Sequence, residues 1–165
     1  MLVIGIDPGT ARTGYGIVSE DVHGIINTLD FGVIFTDANL PFAERLLHIY
    51  RSLNQIIQTH HPLSAAVEKI FFQKNVRTAF SVGQARGVVL LSLAQAGIPI
   101  TEYTPLEIKQ AITGYGKADK KQVQFMVRSL LNLDSIPKPD DAADALAIAI
   151  CHLQTQKYYT LIQGE

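Results

Sequence analysis

Apolar residues fall into two kinds of run along this chain: short stretches rich in Val and Ile, and longer stretches in which they recur every three or four positions. The unbroken run Met1–Ile6 stops at Asp7-Pro8-Gly9-Thr10, which predicts a buried strand followed by a tight turn. Thr13–Ser19 and Gly24–Phe35 predict two more strands, so the chain opens on an antiparallel meander. Over Leu40–His60, the positions Phe42, Leu46, Ile49, Leu53, Ile56 and Ile57 fall on one face of a helix that Pro62 stops. Ser64–Val67 predicts a short buried strand ending at Glu68. Asn75–Ala96 predicts a helix closed by Gly97, and Ile98–Glu102 a further strand. Three helices follow: Pro105–Ile112, Asp119–Leu131 with Asp119 as N-cap, and Asp140–Leu153. This order predicts an α/β domain over residues 1–153, with three antiparallel and then two parallel strands in one mixed sheet flanked by helices. Residues 154–165 are expected to form a partly flexible tail.

Composition adds limits. The chain has 165 residues, 47% of them hydrophobic, enough for the core of one domain and too many for disorder. No apolar run reaches the roughly 18–20 residues that cross a bilayer. MLVIGIDPGT lacks the basic start of a signal peptide, and a single cysteine, Cys151, excludes an internal disulfide. A cytoplasmic protein is expected, with Cys151 a buried thiol.

Net charge is −1, which argues mildly against nucleic acid, but the distribution of that charge argues the other way. Residues 1–67 and 129–165 each carry −3, whereas residues 68–128 hold nine basic against four acidic residues. A basic surface beside acidic pockets suits a metal-dependent nuclease, in which cations grip phosphates and carboxylates hold metal.

Three segments carry the candidate carboxylates. Asp7 lies at a strand end, where open α/β sheets place their sites, although a turn aspartate can also cap its own backbone. Glu68 ends an apolar strand, with Lys69 beside it as a potential ion-pair partner. Asp140, Asp141 and Asp144 crowd the first turn of an otherwise apolar helix. The helix dipole favours anions there by about 0.3–1 kcal/mol each, but like charges one turn apart repel by a similar amount, and no basic residue lies within that turn. A divalent cation would relieve the repulsion. Carboxylate oxygens suit Mg²⁺ or Mn²⁺, and His23, His48, His60, His61 and His152 show no zinc-site spacing. Spacing does not decide between Asp140 and Asp141.

The blocks IGIDPGTARTGYGI, AVEKIFFQKN, SVGQARGV and DDAADALAIAI, in this order, resemble the signature blocks of the RuvC family of Holliday junction resolvases. The resemblance runs from Met1 to about Leu153 and implies a ribonuclease H-like fold. It implies catalytic, metal-binding carboxylates at Asp7, Glu68, Asp141 and Asp144, the Asp-Ala-Ala-Asp pattern favouring Asp141 over Asp140. It further implies a homodimer that makes paired nicks in four-way junction DNA by two-metal hydrolysis, with two Mg²⁺ per site and Mn²⁺ as a substitute, and that works with a branch-migration complex. Lys109 and Lys120 match basic positions that the family uses at its site or on DNA.

Lys69, Lys74, Arg77 and Arg86 also lie in the basic middle, and Phe71-Phe72 could stack on unpaired bases or enter the core. Ala79, Gly83 and Gly87 recur every four residues, a flat strip that suits either a second subunit or the protein's own sheet. Three other readings remain. An actin-like ATPase would need two such domains, a non-catalytic junction-binding module would leave the acids unexplained, and another ribonuclease H-like nuclease would act on RNA.

Overall fold

The computed structural model describes residues 1–69 and 76–163. Its elements are β1 (Leu2–Asp7), β2 (Arg12–Glu20), β3 (Ile26–Phe35), α1 (Phe42–His60), β4 (Ser64–Glu68), α2 (Val76–Gln95), β5 (Ile100–Tyr103), α3 (Pro105–Thr113), α4 (Lys120–Leu130) and α5 (Asp140–Gln163). The sheet order is β3-β2-β1-β4-β5; β1, β2 and β3 pair antiparallel, and β4 runs parallel to both β1 and β5. This is the expected mixed five-stranded arrangement.

Strand alternation divides the core into two layers. Ile4, Ile6, Ile17, Ala65 and Val67 face α1 and α2, where Ile49, Leu53, Ala85, Val89 and Leu93 are buried with them. Val3, Val18 and Ala66 face α5 on the other side, joined by residues of α3 and α4. By the same alternation Gly5, Asp7, Gly14, Gly16 and Glu68 belong to the α5 face.

The glycines allow α5 to lie almost on the strands. Gly5 pairs with Gly16 and Asp7 with Gly14 across β1 and β2. A methyl group on Gly5 would fall 2.5 Å from the backbone nitrogen of Ala149. One on Gly14 would meet the backbone of Asp141, and one on Gly16 would fall 2.8 Å from Leu146 Cδ2. Opposite this floor α5 presents Ala142, Ala145 and Ala149, all buried. Small residues on both sides thus bring the first turn of the helix down beside the ends of β1 and β4.

Several boundaries shift by one or two residues from expectation, and two differences have a clear physical cause. Helix α5 continues to Gln163 instead of ending at Leu153. Residues 154–163 contain neither Gly nor Pro, and Lys157 in this stretch pairs with Glu20 at 2.7 Å. Strand β5 starts at Ile100, not Ile98, because Gly97 takes a left-handed turn (φ 69°) and Pro99 has no N–H for a ladder. Cys151 is buried, as expected.

Gly5→Ala tests the close approach of α5. The added methyl meets main chain that cannot rotate away, so a loss of about 1–3 kcal/mol or more is expected in denaturant unfolding. Unchanged stability would show that α5 has room to retreat.

Candidate active site

The turn after β1 is tied in place by its own residues. Thr13 donates its hydroxyl to the carbonyl of Gly9 at 2.7 Å, and Thr36 donates to the carbonyl of Thr10. Thr10 in turn donates to the carbonyl of Ser81 in α2 at 2.9 Å. Asp7 is therefore held at the end of a buried strand. Ile6 pairs with Val67, so Asp7 and Glu68, each next along its strand, end adjacent parallel strands on the same face. The first turn of α5 brings Asp141 and Asp144 to the same place.

The charges act on one another. Burial, then the charges of Glu68, Asp144 and Asp141, push the Asp7 carboxyl up to about 7. Burial raises Glu68 as well; Asp144 adds to that shift while Lys109 and Lys120 oppose it. Asp144 is raised chiefly by burial, with Lys120 opposing. These four acids come from three segments far apart in sequence, and three of them are held above the ordinary carboxylate range.

The relief comes from elements other than α5. Helix α4 starts at a capping box in which Asp119 accepts from the backbone of Gln122 and the Gln122 side chain accepts from the backbone of Asp119. The next residue, Lys120, places Nζ 3.0 Å from Asp144 Oδ2 and 3.3 Å from Asp140 Oδ2. Gln124, one turn on, donates to Asp140 Oδ1 at 3.0 Å. From β2, Arg12 approaches Asp141 at 3.7 Å. The bond from Gln124 and the ammonium of Lys120 hold Asp140 below the ordinary range, although its charge still adds to the rise of Asp144. Asp141 is the more sheltered of the pair, its side chain 27% exposed against 62% for Asp140. The two neighbours thus differ in exposure and in partners.

Oxygen donors of this kind fit a hard divalent cation, and the mutual repulsion at Asp7 is what such a cation would relieve. Among the described residues no three Asp, Glu, His or Cys side chains stand close enough together to hold a metal ion as they are placed. Lys120 and Arg12 hold Asp144 and Asp141 in ion pairs instead. Beside the acids a cavity of about 230 Å³ is lined by Glu68, Asp144, Lys109 and Lys120 over a floor of Ile108, Val123 and Ile148.

The chain's similarity to known proteins agrees with this geometry. The family model for the crossover junction endodeoxyribonuclease RuvC matches residues 3–152. This chain belongs to the RuvC family. A RuvC from Roseiflexus sp. (strain RS-1) is 61% identical over 149 residues, which cover 90% of this chain and 88% of that protein. A RuvC from Syntrophomonas wolfei is 49% identical over 99% of this chain and 95% of its own length. Among solved structures, Thermus thermophilus RuvC in complex with a Holliday junction substrate superposes with a TM-score of 0.91 at 37% identity, covering 97% of each chain. The RuvC fold is thus shared over nearly the whole chain.

The other predicted site residues divide clearly. Lys109 and Lys120 join the carboxylates. Phe71, Phe72 and Lys74 lie outside the described residues, and Arg77 lies in the first turn of α2. Arg86 pairs with Glu102 of β5, so it ties helix to sheet and is not free to grip a phosphate. Glu68 makes no ion pair with Lys69 among the described residues. Among the described residues nothing lies within 4 Å of where a Cβ would stand on Gly83 or Gly87, so these two glycines do not pack against the protein's own sheet. Sequence reasoning misses Arg12, although it stands inside the first signature block. Its contact with Asp141 depends on how β2 passes under α5.

The raised acids predict how the metal-free protein responds to pH. Between the ordinary value of 3.8 and about 7, native Asp7 keeps a proton that the unfolded chain has lost. Stability therefore falls as pH rises through that window, and Glu68 and Asp144 shift in the same direction. Asp140 and Glu107, held low, oppose the trend at its acidic end. Urea unfolding in EDTA should show stability dropping between about pH 5 and the Asp7 value of about 7, with a flatter profile for Asp7→Asn. Equal slopes for the two proteins would mean that Asp7 does not carry the shift.

Proposed function

We propose that this chain is a structure-selective endodeoxyribonuclease that resolves Holliday junctions by paired nicks, in recombination and repair in the cytoplasm. The observation that carries this reading is that Glu68, Asp141 and Asp144 all act on the charge of Asp7, and that Glu68 and Asp144 line a cavity with two lysines, in a chain of the RuvC family. In this reading Asp7, Glu68, Asp141 and Asp144 hold two Mg²⁺ ions, with Mn²⁺ as a substitute. Bound cations would supply an activated water and stabilise the leaving 3′ oxygen. The chain's own residues do the rest. The strands and α5 fix four carboxylates in one place, and their repulsion gives a cation something to neutralise. Lys120 and Lys109 lie where they can meet the scissile phosphate once it enters the cavity. Arg12, exposed and paired with Asp141, can do the same. The products are ligatable 5′-phosphate and 3′-hydroxyl ends.

Junction cutting with and without Mg²⁺ tests the reading. Asp7→Asn, Glu68→Gln, Asp141→Asn and Asp144→Asn should each reduce cutting by more than about 100-fold, the upper range for groups that only orient metal ligands. Junction binding should survive, since phosphate contacts come from basic residues. Asp140→Asn should stay active. A variant among the four that cuts near the wild-type rate would leave the catalytic set, and cutting of duplex or RNA–DNA hybrid in preference to junctions would favour the RNA-directed reading.

A junction with two strands to cut calls for two sites, and a two-fold dimer supplies them. Helix α2 supports this arrangement. Its Ala85, Val89, Ser92 and Leu93 are buried against the sheet, while Phe80 and Leu91 are 70% and 60% exposed on the side that carries Gly83 and Gly87. A helix apolar on both sides has more to bury than its own sheet covers. We propose that the strip of Ala79, Gly83 and Gly87 meets its counterpart in a second subunit; a branch-migration complex would engage the resulting dimer on the junction. Gly83→Leu should give a folded monomer by sedimentation and circular dichroism, because the new side chain enters open space within the chain. A dimer that persists unchanged would place the interface elsewhere.

A further inference from the structure

Helix α5 lies close to β1 and β2 through Ala142, Ala145 and Ala149, with Leu146 seated on Gly16. Methyl groups form shallow ridges, and ridges set the register between packed elements. Such a face permits close approach but resists sliding poorly. At one end of the contact Asp144 and Glu68 repel each other. A further tie, besides Leu146 on Gly16, would hold the helix at a fixed height.

The opposite end of the same contact carries a buried polar group that the cutting chemistry does not use. His152, on α5, is 1% exposed. Its Nδ1 lies 2.9 Å from the hydroxyl of Tyr103, the last residue of β5, and its Nε2 lies 3.1 Å from Ser64 Oγ, at the start of β4. Hydroxyls donate or accept, so either tautomer of a neutral imidazole is satisfied. Burial holds the ring's pKa down at about 4, which keeps it neutral. Ser64 and Glu68 share a face of β4 four residues apart, about 13 Å along a strand. Asp144 and His152 are eight residues apart on α5, about 12 Å along a helix. The two spans match, so a bond at Ser64 fixes the spacing at Glu68.

We propose that His152 is a positioning residue: its bond to Ser64 sets the axial register of α5 on β4, and with it the separation of the Glu68 and Asp144 carboxylates. Tyr103 orients the ring and ties β5 to the same point. A satisfied core histidine with no such role would stabilise the fold without affecting the distant carboxylates. The inference rests on the metal-dependent reading of the site only for its consequence; the register itself can be measured without metal.

The test compares full-length Ser64→Ala, His152→Gln and His152→Asn with the wild type. In metal-free protein, amide hydrogen exchange over residues 141–146 should accelerate in Ser64→Ala and His152→Asn. It should return toward wild type in His152→Gln, whose amide can occupy the position of Nε2. Mn²⁺ binding without DNA, followed by loss of the free-ion electron paramagnetic resonance signal, should weaken about ten-fold in the same two variants, the lower end for groups that orient metal ligands. Cutting at saturating metal should recover. Ser64→Ala removes one atom from a half-buried side chain and keeps the test available if His152→Asn fails to fold. A lower melting temperature with unchanged exchange at 141–146 and unchanged Mn²⁺ affinity would overturn the proposal. Altered exchange in a protein whose wild type binds no Mn²⁺ would uphold the register role and count against the metal reading.

Discussion

Four carboxylates that repel one another can share a site only if the backbone beneath them leaves no alternative. Here that constraint is the close approach of α5 to β1 and β2. Gly5, Gly14 and Gly16 remove the side chains that would hold the helix away, and the alanines of α5 remove them from the other side. Glycine weakens a strand interior, yet these glycines are covered by a helix, so packing returns part of what the strand loses. With the helix on the floor, its first turn has one place to go, beside the ends of β1 and β4. The electrostatic cost then falls on Asp7, the most strongly raised acid of the group.

The counter-charges follow a related logic. Lys120 and Arg12 reach the acids from α4 and β2, not from α5 itself. Asp140 draws off part of the Lys120 charge and is itself fixed by Gln124. A site neutralised by residues of its own helix would be permanently paired. One neutralised by exposed side chains from neighbouring elements can exchange those partners for a cation or a phosphate.

Much of this is legible in the sequence because the signals are local. Hydrophobic period, Pro, Gly and N-cap residues locate the described strands and helices, and strands that alternate with helices imply the parallel pair. The acids stand out because each interrupts an apolar run. What stays hidden is non-local. The choice between Asp140 and Asp141 depends on Gln124 and Lys120, some 20 residues away. Arg12 meets Asp141 only through the stacking of β2 under α5, and Arg86 reads as a free cation until the fold sets Glu102 beside it. The end of α5 escapes because polar residues after Leu153 lose the apolar period while keeping good helix propensity. His152 is featureless in sequence for a similar reason, since both of its partners come from other strands.

The fold also sets the acids and the exposed apolar side of α2 on opposite faces of one sheet. Helix α5 and the acids occupy one face, α1 and α2 the other. Only seven residues, 69–75, separate Glu68 from the start of α2, and they include Phe71, Phe72 and Lys74. A second path runs through the hydrogen bond from Thr10, three residues past Asp7, to Ser81 near the start of α2. Asp7 is therefore tied, through the bond from Thr10, to the helix whose outer face is left apolar. If that face pairs with a second copy, the two sites of the dimer are set relative to each other by the stiffest elements available, a helix and two central strands. Symmetric nicking then requires no flexible coupling, since the spacing of the sites is already built into the paired helices.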